Sequence, residues 1–284
     1  MISYSLRIFL SVAQKGGITK TANELFISQP AVSKTIKSLE QKLHVKLFHR
    51  DKRRGLILTD AGEKILLLAR RMENLEEEIY QTAFLQNNLL GGKLRVGAVP
   101  IATTLILSKV LRRYREKYPA VTVELHEGTP VDLQKLLESY AADLAITYSP
   151  FGTLDAQILF EDEMVAILPP SAEKNFVALK DGVENLIFCR AGFEVVQKNF
   201  NVNADKNFVV QNAATAVKFV EDGNGVGVMS KLVLSATGGR VKICPVVPSI
   251  KTQLGLAACD LKNLSPLAAE FVKFIKICCE EVTL

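Results

Sequence analysis

The sequence predicts an α/β protein built as a small helical head, a long connecting helix and a larger body of alternating strands and helices. Three observations lead there. Residues 16–42 read as two short helices with a tight connection, and residues 60–88 contain no proline and repeat apolar residues in sevens. Past Gly91-Gly92, short β-rich runs alternate with helical patterns. At 284 residues, 48% apolar and 23% charged, the chain is large enough for two domains and has an ordinary globular composition.

The opening run MISYSLRIFLSVA is interrupted by Arg7 and places Leu6, Phe9, Leu10 and Ala13 at helical spacing. A folded amphipathic helix explains it better than a signal peptide. A helix from about Thr19 to Leu25 would turn Ala22 and Leu25 inward, with Thr19 capping its start. Phe26 and Ile27 bridge to a second start signal, where Ser28 is the expected N-cap and Pro30 sits in the first turn, its missing N–H costing nothing there. The helix that follows sets Val32, Ile36, Leu39 and Leu43 in one apolar stripe and leaves Gln29, Ser33, Lys34 and Lys37 on other faces. These are the parts of a helix-turn-helix, whose second helix enters the DNA major groove N-terminus first. Val45–Thr59 then reads as two apolar runs around Asp51, Lys52, Arg53, Arg54 and Gly55, a β-hairpin that would form a wing.

Charge separates the head from the rest. Residues 1–58 hold eleven Lys/Arg and three Asp/Glu, net +8, which leaves −3 on the remaining 226 residues within an overall +5. A basic head on a mildly acidic body directs only the head toward a polyanion. An isolated basic turn would read as solvated surface, but beside SQPAVSKTIK its arginines add contacts to the same duplex. Gln29, at the helix entrance, carries an amide fork able to bind adenine N6 and N7. Ser33 and Lys37, four and eight residues on, stay near the same face. Ser28, Lys34, Arg50, Arg53 and Arg54 are assigned to phosphate or minor-groove contacts. Thr19 and Pro30 complete the expected DNA-binding set, Pro30 chiefly by shaping the helix start.

From Asp60 to about Asn88 the acidic start, Asp60 and Glu63, suits a helix N-terminus. Ile65, Leu68, Met72, Leu75 and Ile79 form a heptad seam on a helix roughly 40 Å long. Such a seam is buried either by a second copy, giving a dimer, or against the chain's own body. Glu76, Glu77 and Glu78 are expected to be solvated.

In the body, strands are expected at residues 93–99, 121–127, 142–148 and 164–169, with helices at 101–117 and 131–140. A second set follows: strands at 185–190, 207–211 and 225–230, helices near 194–200 and 213–222, and a final amphipathic helix at 266–281. The alternation argues for a mostly parallel sheet. Ligands bind such sheets at strand ends and helix beginnings, which nominates Pro100 and Thr103 at one junction and Thr129 at another. Thr147, Gly192 and Phe193 occupy comparable strand ends. Thr129 with Asp132 also reads as a capping box, which would account for it without a ligand. Helix N-termini at a cleft would suit a small-molecule effector carrying a carboxylate. GNGVG at 223–227 follows a helix and precedes a strand, the reverse of a dinucleotide loop, and reads as a helix stop and turn.

Five cysteines, Cys189, Cys244, Cys259, Cys278 and Cys279, form no C-x-x-C pair and indicate neither a disulfide framework nor a metal site. Free thiols fit a cytoplasmic location. Cys189 with His126 lacks a third group for nucleophilic catalysis, so no enzyme and no cofactor are expected. No apolar run approaches the eighteen or so residues of a membrane span.

The stretch Phe9 to Leu66, including SQPAVS, the Leu39-Glu40 pair, LFHR and LTDAG, resembles the N-terminal domain of the LysR-type transcriptional regulators nearly continuously. Gly17 stands where that family usually has Ser, and His44 where it usually has Gly. The body is similar to the family's effector-binding region at RVGAVP, DLAIT, EDGNGVGVMS and PLAAEFVKFI. The resemblance implies a winged helix-turn-helix domain at 1–58, a linker and dimerisation helix at 59–90, and an effector-binding domain at 91–284. The last has the periplasmic-binding-protein fold, with subdomain I at 91–161 and 260–284 and subdomain II at 162–259. It implies crossings between the subdomains near Glu161–Met164 and Leu254–Cys259. It further implies a cytoplasmic, ligand-responsive regulator that binds double-stranded DNA with paired half-sites as a homodimer or homotetramer. A different class, a cytoplasmic small-molecule sensor or solute-binding protein whose head is a protein-interaction module, is opposed by the +8 head.

Overall fold

A computed structural model describes residues 2–51, 55–86, 90–180, 184–197 and 199–281 of the chain, which divides near residue 90 into two units. In the first, α1 (Tyr4–Lys15), α2 (Ile18–Glu24) and α3 (Gln29–Leu43) are followed by the antiparallel strands β1 (Phe48–Asp51) and β2 (Gly55–Leu58) and by α4 (Asp60–Gln86). Ile8, Phe9 and Val12 of α1, Ala22 of α2, and Val32, Ile36 and Leu39 of α3 form one core with Leu47 and Ala69. The apolar spacing read from the sequence is therefore the packing face. Two of its members are exceptions: Leu25 is 40% exposed and Leu43 39%. Each lies at the end of its helix, where the chain turns away from the core.

Three local devices hold this unit together. Glu40 is buried in the body of α3, and its carboxylate accepts from the Lys46 ammonium (2.8 Å) and from the backbone N–H groups of Leu47 (2.9 Å) and Phe48 (3.4 Å). That explains the Leu39-Glu40 pair, since Leu39 packs in the core while Glu40 ties the recognition helix to the wing. Burial pushes the Glu40 carboxyl up, but Lys46 and the two amides more than offset it and hold it below the usual carboxylate range. In LTDAG, Thr59 caps α4 by accepting from Gly62 N–H (3.0 Å) and donates to Lys46 O (2.6 Å). A Cβ on Gly62 would stand 2.2 Å from Leu47 O, so only glycine lets α4 start this close to the wing. His44 follows α3 at φ 56°, a left-handed conformation in which glycine would be unstrained, and the turn into the wing is kept.

On α4 the seam residues Leu68, Met72, Leu75 and Ile79 are 61%, 46%, 52% and 68% exposed, whereas Ile65, expected to open the same seam, packs partly buried against the core of this unit. The opposite side of the helix faces α1. Glu76, expected in solvent, is instead buried: its two carboxylate oxygens accept from the single Arg7 Nη2 (3.1 and 3.0 Å), and one of them also accepts from the Ile2 N–H (3.2 Å). The Arg7 guanidinium holds its carboxyl below the usual range.

The second unit is a long twisted sheet with strand order β4-β3-β5-β12-β6-β10-β8-β9, and β11 pairs with β6 and β7. Its chain order is β3 (Gly92–Ala98), α5 (Pro100–Ala102), a π-helical turn (Thr103–Leu107), α6 (Ser108–Lys117), β4 (Val121–Glu127), α7 (Pro130–Glu138), β5 (Leu144–Tyr148) and β6 (Asp155–Leu168). There follow β7 (Val177–Ala178), β8 (Leu186–Cys189), α8 (Arg190–Gln197), β9 (Phe208–Val210), α9 (Ala213–Glu221), β10 (Val226–Ser230) and α10 (Lys231–Thr237). The unit ends with β11 (Lys242–Val247), β12 (Lys251–Ala258) and α11 (Pro266–Glu280). β3, β4 and β5 are parallel, as are β8, β9 and β10, so each half is an α/β layer.

The halves are joined by two shared strands. β6 pairs along its first part with β12 and along its second with β10 and β11. The sequence predicts only residues 164–169 of this strand and does not reveal α10, β11 or most of β12. The outbound crossing lies at Asp162–Met164, as the resemblance implied. The return comes earlier than Leu254–Cys259: Leu254–Ala257 already pair with β5, so the chain has crossed back by about Lys251.

Candidate functional site

The first candidate surface is the entrance of α3. Ser28 stands in extended backbone before the helix and its Oγ accepts the Ala31 N–H (3.3 Å), with Pro30 in the first turn as expected. With Val32, Ile36 and Leu39 committed to the core, Gln29, Ser33, Lys34 and Lys37 project into solvent on the remaining faces. Gln29, Ser33 and Lys37 are spaced by four and form one exposed ridge. Arg50 is exposed on β1, which Glu40 holds against α3. Arg53 and Arg54 lie outside the described residues. Thr19 is exposed, but it is the second residue of α2 and not its cap: Gly17 occupies that position and supplies no side-chain bond, while the Thr21 hydroxyl donates to Gly17 O (3.0 Å). With Gly17 at that position, α2 starts without a side-chain cap.

The second candidate lies between the two α/β halves of the second unit. Thr103, in the π-helical turn after β3, and Thr147, near the end of β5, each hold a buried side-chain hydroxyl without a hydrogen-bond partner. β3 and β5 are adjacent parallel strands; Thr147 lies within β5, and Thr103 follows the end of β3 by five residues. An unpartnered buried hydroxyl is costly, and such atoms mark places where a further polar group belongs. Pro100 is exposed at the first helical position after Val99.

Thr129 is different. Its hydroxyl donates to Asp132 Oδ2 (2.8 Å) and accepts the Asp132 N–H (3.3 Å), while its own N–H donates to the same carboxylate (3.2 Å). The capping box uses this hydroxyl fully, and the Asp132 carboxylate already occupies the start of α7. Gly192 lines a small cavity of about 20 Å³ with Tyr148, Met164, Cys189, Ser230 and Thr252, whereas Phe193 is buried in the core of its half, edge-on to Phe188 at 5.5 Å.

Sequence reasoning missed the polar centre of this region. Asp162, at the crossing in β6, is 8% exposed. Its carboxylate accepts from Tyr148 OH (2.9 Å), from Ser230 Oγ, and from the N–H groups of Glu163 (2.8 Å) and Leu232 (3.2 Å). Tyr148 OH and Ser230 Oγ also lie 3.0 Å apart. Burial, then the Asp162 charge, pushes the Tyr148 phenol well above its ordinary value, so it remains a neutral donor. The three side chains come from β5, from the shared strand and from the start of α10, and thereby tie both halves to one carboxylate. Burial likewise pushes the Cys189 thiol up, away from the reactive thiolate form. The only sequence signal for this cluster was that Tyr148 and Ser230 end expected strands.

Residues 4–63 match the family model for the bacterial regulatory helix-turn-helix protein, lysR family, and residues 87–277 match that for the LysR substrate binding domain. The uncharacterized HTH-type transcriptional regulator YoaU of Bacillus subtilis is 39% identical over 95% of this chain and 96% of its own. Among solved structures, a full-length OxyR point variant from Pseudomonas aeruginosa is similar with a TM-score of 0.71 at 19% identity, covering 100% of this chain and 99% of that one. CbnR in complex with its target DNA is similar with a TM-score of 0.57 at 20% identity, covering 96% and 98%. With both family models matched in order and a relative aligned end to end, the chain belongs to the LysR family of transcriptional regulators, a DNA-binding helix-turn-helix domain followed by a substrate-binding domain.

Proposed function

We propose that two copies pair through the exposed seam of α4 and present two α3 entrances to paired half-sites on duplex DNA. On that reading Gln29, Ser33 and Lys37 face base edges, and Ser28, Lys34, Arg50, Arg53 and Arg54 bind phosphates or the minor groove. Thr19 and Pro30 flank the same entrance. The functional division is 1–58 for DNA, 59–90 for pairing and 91–284 for the effector, in a cytoplasmic homodimer or a tetramer made from it. One observation carries the reading: a polar and basic ridge at the start of α3 stands free while the rest of the helix is fixed by core packing and by Glu40. CbnR, whose fold is similar, was solved with its target DNA, and that complex supports the reading.

The effector site is proposed at the Thr103 and Thr147 hydroxyls, with Pro100 and Gly192 beside the cleft. The two hydroxyls would serve the oxygens of a small carboxylate. Thr129, whose hydroxyl is occupied, and Phe193, which is core, support that site by shaping it. The cavity beside the Asp162 centre, lined by Tyr148, Gly192 and Thr252 and not by Thr103 or Thr147, holds about 20 Å³, so a ligand of ordinary size that also reached that centre would require the halves to separate around it. Such a ligand then regulates by favouring the separated arrangement. A mobility-shift titration on the DNA upstream of the chain's own gene, at several salt concentrations, tests the DNA reading. Preference for that fragment over random duplex supports it, and equal affinity for both defeats it. Thermal-shift screening of small acids and amino acids, repeated on Thr103→Ala and Thr147→Ala, tests the cleft.

A further inference from the structure

The helix-turn-helix connection contains a feature that neither folding nor the ridge explains. α2 ends in a complete Schellman motif: the Phe26 N–H donates to Asn23 O (3.4 Å) and the Ile27 N–H to Ala22 O (3.0 Å). The central residue of that motif is left-handed, and glycine or asparagine fills it without strain. Here it is Phe26, at φ 53°. A bulky side chain with positive φ is an outlier that persists for a reason outside local geometry. Phe26 is also 94% exposed, the most exposed large apolar side chain among the described residues, so it contributes almost nothing to the core. Stability is therefore lost twice at one position, in backbone strain and in apolar surface left in water.

Phe26 lies two residues before the N-cap Ser28 and three before Gln29. A helix entering the major groove N-terminus first carries the turn ahead of it to the groove edge. The most prominent apolar group that a base edge offers a phenyl ring there is the thymine 5-methyl group, a recognised apolar contact. We propose that Phe26 is a specificity residue that packs on a thymine methyl next to the base pair read by Gln29. The inference rests on the placement of the α3 entrance against DNA.

The test uses the full chain and a duplex selected by that chain from a random library. Phe26→Gly is expected to unfold at the same or a higher temperature, because glycine relieves the strain. It is expected to bind the selected duplex about tenfold more weakly than the parent chain, the size of one lost base contact. Replacing each thymine in turn by deoxyuridine deletes only the methyl group. One such replacement per half-site is expected to weaken the parent chain by a similar factor and to have no further effect on Phe26→Gly. Equal affinity of Phe26→Gly and parent overturns the proposal, and so does weakened binding with no deoxyuridine position coupled to residue 26. Gln29→Ala on the same duplex separates the two failures. If it loses affinity while Phe26→Gly does not, only the Phe26 assignment falls; if neither loses affinity, the α3 placement falls as well.

Discussion

Replacing Glu40 by alanine removes the acceptor that joins the recognition helix to the wing, and its cost follows from the bonds it makes. The Leu47 N–H is fully buried and would be left without its charged acceptor at 2.9 Å, a loss of about 1.5–3 kcal/mol. The Phe48 bond, at 3.4 Å, is long and adds little. The Lys46 ammonium is 74% exposed, so that ion pair is worth under about 1 kcal/mol after screening. The total is about 3 kcal/mol, which corresponds to roughly a hundredfold more frequent opening of the wing, at about 1.4 kcal/mol per factor of ten. Hydrogen exchange at the Leu47 amide in the full chain reads this directly, and Glu40→Gln, which keeps one acceptor, should cost less than half as much. The same carboxyl predicts an acid sensitivity. Its folded pKa lies below 4.5, so its contribution is full above that value and is lost as pH falls through the lower, folded pKa. Unchanged Leu47 exchange in Glu40→Ala, or wing opening that strengthens rather than weakens with rising pH, would refute the assignment.

Three further outcomes follow from the same geometry. Gly62→Ala forces a methyl to within 2.2 Å of Leu47 O and should destabilise the first unit by about 1–3 kcal/mol, seen as earlier thermal unfolding. Leu75→Lys with Ile79→Lys places two charges in the exposed seam of α4 and should shift sedimentation equilibrium toward the monomer without loss of helical circular dichroism. Tyr148→Phe withdraws one donor from the buried Asp162 carboxylate, costing about 1–3 kcal/mol and hastening exchange of the Leu232 amide that bonds the same carboxylate.

Much of the head was legible because its determinants are local. The steps Val32, Ile36 and Leu39, the Ser28 cap and Pro30 lie within one helix, and the structure uses them as read. What escaped was non-local or masked by charge. Glu76 reads as surface until Arg7, 69 residues away, is known to meet it. The first part of β6, DAQILFEDE, is largely exposed and charged, so it carries no alternation, although it is the strand that joins the halves. α10 spans seven residues, too few for periodicity to show. The Tyr148, Asp162 and Ser230 cluster needs three distant segments brought together, and no spacing in the sequence encodes that. Thr103 and Thr147 were nominated because strand ends are predictable from β-rich runs. Whether such a threonine is spent on a cap, like Thr129, or left with a free hydroxyl depends on the residue three positions on.

The most direct test of the central claim, that the α3 entrance reads DNA sequence through Gln29, is to compare the sequences selected from random duplexes by the parent chain and by Gln29→Ala. Two half-sites are expected in the parent selection. In the variant, preference should vanish at one base pair of each half-site while neighbouring positions and the spacing persist, a loss of about 1–3 kcal/mol of discrimination per site. Identical preferences from the two proteins would contradict it.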